Sequence, residues 1–239
     1  MARLHCPQSL ASGQAFSLPA GAARHVQVLR LQPGAQVTLF SGDGSGEYQA
    51  TIEHMGRSEV RVQVGARIDV AREVQRKVHL LVGIAANERM DWLVEKATEL
   101  GAASIAPLLT QRAVVRLSGE RAEKKRLHWQ AVATAACEQC GRNLVPPVRA
   151  VQDLSACLQS PVNPSAVRLL LSLREDAKPL TSLAKCVDDI YLLSGPEGGL
   201  SPAEEAAAIA VGFIPVSLGQ RTLRAETAPI AALVALTMT

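Results

Sequence analysis

Between Val37 and Val64 apolar and polar positions alternate: Val37-Thr38-Leu39-Phe40, Tyr48-Gln49-Ala50-Thr51-Ile52 and Val60-Arg61-Val62-Gln63-Val64. A period of two puts one set of side chains on each face, so these stretches predict short strands. The glycines of Gly42-Asp43-Gly44-Ser45-Gly46 fall between the first two and predict a hairpin turn rather than a dinucleotide loop, which leads into a helix. Residues 1–70 therefore read as a small β-barrel.

After a charged stretch from Asp69 to Lys77 the pattern changes to strands alternating with helices. Val78 to Val82 reads as a buried strand, and Met90, Leu93, Val94, Ala97 and Leu100 then fall at helical spacing before Gly101, a C-cap. Next come strand Ser104 to Leu109, helix Glu120 to Cys140, strands Val167 to Leu171 and Ile190 to Leu193, helix Pro202 to Val211, strand Ile214 to Leu218 and helix Pro229 to Leu236. This alternation predicts an α/β domain over residues 71–239, a mainly parallel sheet covered by helices.

Aromatic residues make up only 3% of the chain, so the core must be built from Leu, Val, Ile and Ala. No apolar run approaches the roughly 20 residues that span a bilayer, and the first residues lack the apolar stretch of a signal peptide, which reads as cytoplasmic with no membrane partner. Five cysteines, an odd number spread from Cys6 to Cys186, fit a reducing compartment better than a disulfide framework. Cys137 and Cys140 form the closest pair, but no further ligands follow at zinc spacing and the pair sits inside a helix rather than at its start. Two helix-packed thiols and no metal are expected.

A formal charge of +3 does not by itself indicate a nucleic-acid partner. Its distribution is more informative: Arg121, Lys124, Lys125, Arg126 and His128 cluster in one helix, and Arg24, His25 and Arg30 lie near the N-terminus. A solvated helix face and an RNA footprint both explain the first cluster.

Two loops carry the candidate chemistry. The strand ending at Leu193 runs into Ser194-Gly195-Pro196-Glu197-Gly198-Gly199-Leu200, and the following helix opens with Ser201, Pro202 and Glu204 as a capping box. The strand ending at Leu218 runs into Gly219-Gln220-Arg221-Thr222-Leu223-Arg224-Ala225-Glu226-Thr227. Glycines at the carboxyl ends of parallel strands let backbone groups approach a ligand closely. Neither loop has the GxxxxGK[ST] pattern of a nucleoside-triphosphate site, and a nucleoside cofactor held largely by backbone groups fits better.

These loops, with Lys96-Ala97-Thr98-Glu99-Leu100-Gly101, Pro107, Arg112, Glu138-Gln139-x-x-Arg142, Pro146, His25-x-x-x-Leu29-Arg30 and Gly34, resemble the RsmE family of 16S ribosomal RNA (uracil-N3) methyltransferases over nearly the whole chain. The match is poorest from Asn163 to Asp188, and Thr222 stands where the family has an aliphatic residue. The resemblance implies an N-terminal PUA-like β-barrel, a SPOUT domain with a deep trefoil knot, and a homodimer. It implies S-adenosylmethionine as methyl donor, seated by Leu171, Gly195, Glu197, Gly198, Gly199, Leu218, Gly219, Leu223 and Thr227, with Ser172 beside the first wall. The substrate it implies is a uridine of 16S rRNA within the 30S subunit or its assembly intermediate, bound through Arg24, His25, Arg30, Arg112 and Arg142.

Methyl transfer to uracil N3 is an in-line displacement in which N3 must lose a proton, either to a base or to solvent while cations stabilise the uracil anion. Arg224, Arg221 and Arg112 are the candidate cations, and Glu226 and Glu138 the candidate carboxylates. Ion pairing with Glu226 or dimer contacts would explain Arg221 and Arg224 equally well. Two other functions remain open at this point: a SPOUT methyltransferase acting on another RNA, such as transfer RNA, and a non-catalytic RNA-binding adaptor. The intact Gly198, Gly219 and loop arginines argue against the adaptor.

Overall fold

A computed structural model describes residues 1–56, 59–86, 88–161, 163–182 and 189–238. Its contacts divide the chain into two units, one of residues 1–73 with 134–145, the other of residues 74–133 with 146–239.

The first unit holds strands β1 (Ala2–His5) and β2 (Ala15–Ser17), helix α1 (Ala20–Val28), and strands β3 (Gln36–Phe40), β4 (Glu47–Met55) and β5 (Val60–Ile68). The five strands pair in the order β1-β3-β4-β5-β2, antiparallel except for β1 beside β3. The alternating residues bury one face: Val37, Leu39, Ala50, Ile52, Val60, Val62 and Val64 close on Leu4 and on Ala22, Ala23 and Val26 of α1. The glycine stretch 42–46 joins the antiparallel pair β3 and β4, as a hairpin requires. The alternation does not reveal β1, β2 or α1. The two strands span only four and three residues, and Pro19, at the N-cap of α1, has no side chain to satisfy the first amide groups.

Polar contacts tie residues 134–145 into this unit. Arg142 is 5% exposed, and its guanidinium donates to Glu73 Oε2 at 2.8–2.9 Å. Glu73 Oε1 accepts the amides of Asn143 (3.2 Å) and Leu144 (3.1 Å), while Glu138 accepts the amide of His5 (2.9 Å) and lies 3.3 Å from His25 Nδ1. Cys137 is buried in the helix, and burial pushes its thiol up to about 12. Glu47, also buried, accepts from Arg3 and from Arg72 (2.8 Å). Burial alone would raise its carboxyl, but the two guanidiniums hold it below the usual carboxylate range. A carboxyl depressed on folding stabilises the native state above its unfolded pKa, and that contribution is lost as pH falls through the folded value. Glu47→Gln should therefore cost about 2 kcal/mol or more at neutral pH and shrink the acid-induced loss of stability, both read from denaturant unfolding curves across pH.

The second unit contains β6 (Lys77–Gly83), α2 (Glu88–Glu99), β7 (Ser104–Leu109), the first part of α3 (Gly119–Cys140), β8 (Gln152–Asp153), α4 (Leu154–Gln159), β9 (Val167–Leu171), β10 (Lys178–Pro179), a 3₁₀ turn (Leu180–Ser182), β11 (Asp189–Ser194), α5 (Pro202–Ala210), β12 (Ile214–Ser217) and α6 (Thr227–Thr237). Among the described residues every strand pair of this unit's sheet is parallel, in the order β10-β12-β9-β11-β6-β7-β8. The apolar strands are buried as expected, with Val78, Leu80, Ile105, Leu108, Leu169, Leu170, Leu192 and Leu193 in the core. The two-residue strands β8 and β10 are too short for any period to register. Of the poorly matching stretch Asn163 to Asp188, residues 183–188, including Cys186, lie outside the described residues. Among the described residues no helix is long and apolar enough to cross a membrane.

Candidate active site

The strand order places the carboxyl ends of β12, β9 and β11 side by side, and the chain beyond each end contributes to one crevice. The register brings Leu171 opposite Val216 and Leu170 opposite Leu193, and the Ser172 amide donates to Val216 O at 3.0 Å. Leu171, Ser172 and Leu173 form one wall, residues 194–200 a second, and residues 216–219 with 221–223 a third, around a cavity of about 360 Å³.

Local chemistry fixes the two glycine loops. The capping box forms at the start of α5: Ser201 Oγ accepts the Glu204 amide (3.2 Å) and Glu204 Oε2 accepts the Ser201 amide (2.8 Å). Gly195 lies so close to the loop's far side that an added Cβ would sit 2.7 Å from the Leu200 nitrogen. In the other loop Ser217 Oγ accepts the Gly219 amide at 3.1 Å, and Gly219 has φ +111°, where L side chains are strained. Arg112 Nη1 donates to the carbonyls of Gly198 (3.1 Å) and Leu200 (3.3 Å), bracing the first loop.

Of the residues singled out for a cofactor, Leu171, Gly195, Glu197, Gly198, Gly199, Leu218, Gly219 and Leu223 line this crevice together with Arg112 and Arg221. Thr227 lines an adjoining cavity behind the second loop, shared with Leu218, Gly219, Arg221 and Leu223. Arg224 and Glu226 are not among the lining residues. Arg224 is exposed, and its carbonyl accepts the amides of Thr227 and Ala228 that begin α6. Glu226 pairs with neither loop arginine: its Oε1 lies 3.9 Å from Arg89 Nε, and its Oε2 is buried without a partner among the described residues.

Arg89, which sequence reasoning missed, also donates to Glu197 Oε1 (3.1 Å), which accepts the Ala86 amide as well (2.9 Å). Burial raises the Glu197 carboxyl, but the amide and the guanidinium hold it below the usual range. One side chain from α2 thus bridges acidic residues of both glycine loops. Ser194 and Glu205 were missed too: both line the crevice, and Ser194 Oγ is buried with no partner among the described residues.

The residues singled out for RNA separate. Arg24 and Arg30 are exposed, and Arg30 sits at φ +53° just past α1. His25 faces Glu138. Arg142 is buried and sequestered by Glu73, whereas Arg112 is exposed and uses one guanidinium nitrogen on the loop carbonyls of Gly198 and Leu200.

The RNA methyltransferase domain family matches residues 72–237, and the RNA methyltransferase PUA domain family matches residues 18–65. Parallel sheet, strand-end crevice and family matches together define an α/β RNA methyltransferase domain preceded by an RNA methyltransferase PUA domain. The ribosomal RNA small subunit methyltransferase E of Bacillus subtilis is 31% identical, covering 96% of this chain and 92% of its own length. Among solved structures, ribosomal RNA small subunit methyltransferase E from Neisseria gonorrhoeae, bound to S-adenosyl methionine, is 34% identical with a TM-score of 0.93, covering 99% of this chain and 96% of that one. A Legionella pneumophila protein in complex with the same cofactor is 37% identical with a TM-score of 0.91, covering 98% and 96%. The chain belongs to the ribosomal RNA small subunit methyltransferase E family.

Proposed function

We propose that the protein transfers a methyl group from S-adenosylmethionine to N3 of a specific uridine in 16S rRNA, acting in the cytoplasm as a homodimer on the 30S subunit or its assembly intermediate. The observation that carries this reading is the three-walled crevice at the strand ends, in a chain whose relatives of the same fold hold that cofactor. The lining fits the group: apolar Leu171, Leu218 and Leu223, glycine loops that present backbone groups, and the Ser194 hydroxyl, which has no partner among the described residues. When bound, the cofactor supplies an electrophilic methyl carried on sulfur.

The chain's own task is to seat the uridine beside that crevice and favour loss of its N3 proton. Arg221 at the crevice and Arg224 beside it place positive charge where the uracil anion develops. Glu226, half-buried beside Arg89, holds its loop in place rather than taking the proton. Residues 1–70 serve as the RNA-binding domain, with 134–145 packed into the same unit, and the rest of 71–239 serves as the catalytic one.

The decisive experiment maps 16S rRNA modifications in cells lacking the protein. One uridine should lose its N3 methyl group and regain it on complementation; an unchanged map sinks the assignment. Modification lost from another RNA instead would identify a different substrate, and failure to bind S-adenosylmethionine in calorimetry would identify an adaptor.

Arg24 and Arg30 supply phosphate contacts. Because Arg30 has a left-handed backbone, Arg30→Gly removes the charge and relieves the conformation together. It should weaken RNA binding and reduce the salt dependence of log K by about 0.7 per lost contact, with cofactor affinity unchanged. Identical salt slopes for the variant and the parent would take Arg30 out of the RNA interface.

A further inference from the structure

A second cavity of about 430 Å³ in the same unit shares no lining residue with the crevice. It is built on the amino-terminal halves of the parallel strands. Arg168 of β9, Tyr191 of β11, His79 of β6 and Ser104 of β7 stand in one register row across four adjacent strands, and all four line it. Parallel sheets covered by helices are ordinarily apolar in such rows. The next row on this face is so, with Leu170, Leu193, Leu81 and Ala106.

The polar row is held in place. His79 Nδ1 meets Ser104 Oγ at 2.7 Å, and Nε2 lies 3.0 Å from Asp189 Oδ1. The His79 and Tyr191 rings stack with centroids 4.7 Å apart and 21° between planes. Burial, aided by Arg149 and Lys77 and opposed by Asp189, holds the imidazole below its usual range, so near neutral pH the ring is an uncharged flat surface. The charges on the lining are Arg149 and Arg168, with no carboxylate among the lining residues. Arg168 uses one nitrogen on Val211 O, and Arg149 has no carboxylate partner among the described residues. The volume falls within the range of small-molecule sites, about 300–1,000 Å³.

We propose that this cavity is a second binding site for a nucleoside monophosphate, its phosphate on Arg149 and Arg168 and its base against the His79–Tyr191 pair. A planar guanidinium suits a phosphate bidentately, and a flat aromatic surface suits a base without selecting its sequence. The nucleotide is either free or part of an RNA strand.

Calorimetric titration of the full chain with UMP, uridine and inorganic phosphate tests the site. UMP should bind with Kd below about 1 mM, and uridine and phosphate, each lacking half of the recognised group, at least about tenfold more weakly. Arg149→Gln should weaken UMP at least about tenfold while leaving S-adenosylmethionine affinity unchanged, which also shows that the variant is folded. A short uridine oligonucleotide that binds more tightly than UMP, with the same dependence on Arg149, would assign the site to RNA; equal or weaker binding would assign it to the free nucleotide. UMP binding that survives Arg149→Gln, or no UMP binding at millimolar concentration, would overturn the proposal.

Discussion

Arg224→Ala should lower kcat by about a hundred-fold or more, with S-adenosylmethionine affinity nearly unchanged, because one preorganised charge at a developing anion contributes roughly 2.7–4 kcal/mol. The structural reasons are specific. Arg224 is exposed and outside the crevice lining, so removing it leaves the cofactor's contacts in place. Glu226, the acidic residue closest to it in sequence, faces Arg89 instead. On the proposed function the side chain is available to the uridine, where its charge would matter most in the transition state. Steady-state kinetics with sedimentation decide the matter. Near-normal turnover, or an activity loss fully accounted for by dimer dissociation, would remove Arg224 from the chemistry.

Gly219→Val should weaken S-adenosylmethionine binding by about tenfold or more. At φ +111° a branched residue is strained by roughly 1–3 kcal/mol, so the second loop would relax to another conformation and recover its present one only at that cost on binding. An added Cβ meets nothing within 4 Å, so the effect comes from backbone conformation and the obstructed crevice rather than from a clash with the protein itself. Calorimetry on the folded variant checks this; unchanged affinity would place the cofactor elsewhere.

The parts of this molecule legible in the sequence are those that short-range chemistry specifies. Period-two alternation marked β3, β4 and β5, and Ser201 with Glu204 marked the start of α5 because the two partners are three residues apart. Both glycine loops were legible as strand-to-helix passages. What brings them together was not: Arg89 contacts Glu197 and Glu226 across more than a hundred residues, and no periodicity encodes that. Ser194 went unnoticed because a serine at a strand end is unremarkable until its hydroxyl is found buried with no partner among the described residues. Arg142, which the resemblance implied as an RNA contact, is instead buried against Glu73, a partner distant in sequence that no local pattern announces.

Residues 134–145 complete the first unit although sixty residues of the second separate them from residue 73. During synthesis, the barrel strands emerge long before Glu138, Arg142 and Asn143 exist to engage His5, His25, Glu73 and Arg3. Domains ordinarily mature in the order they leave the ribosome. Here the amino-terminal unit must wait, with Glu73 and the amide of His5 unsatisfied, until most of the first half of its neighbour has been made, so a chain stalled between residues 73 and 134 would present an unfinished barrel to chaperones and proteases.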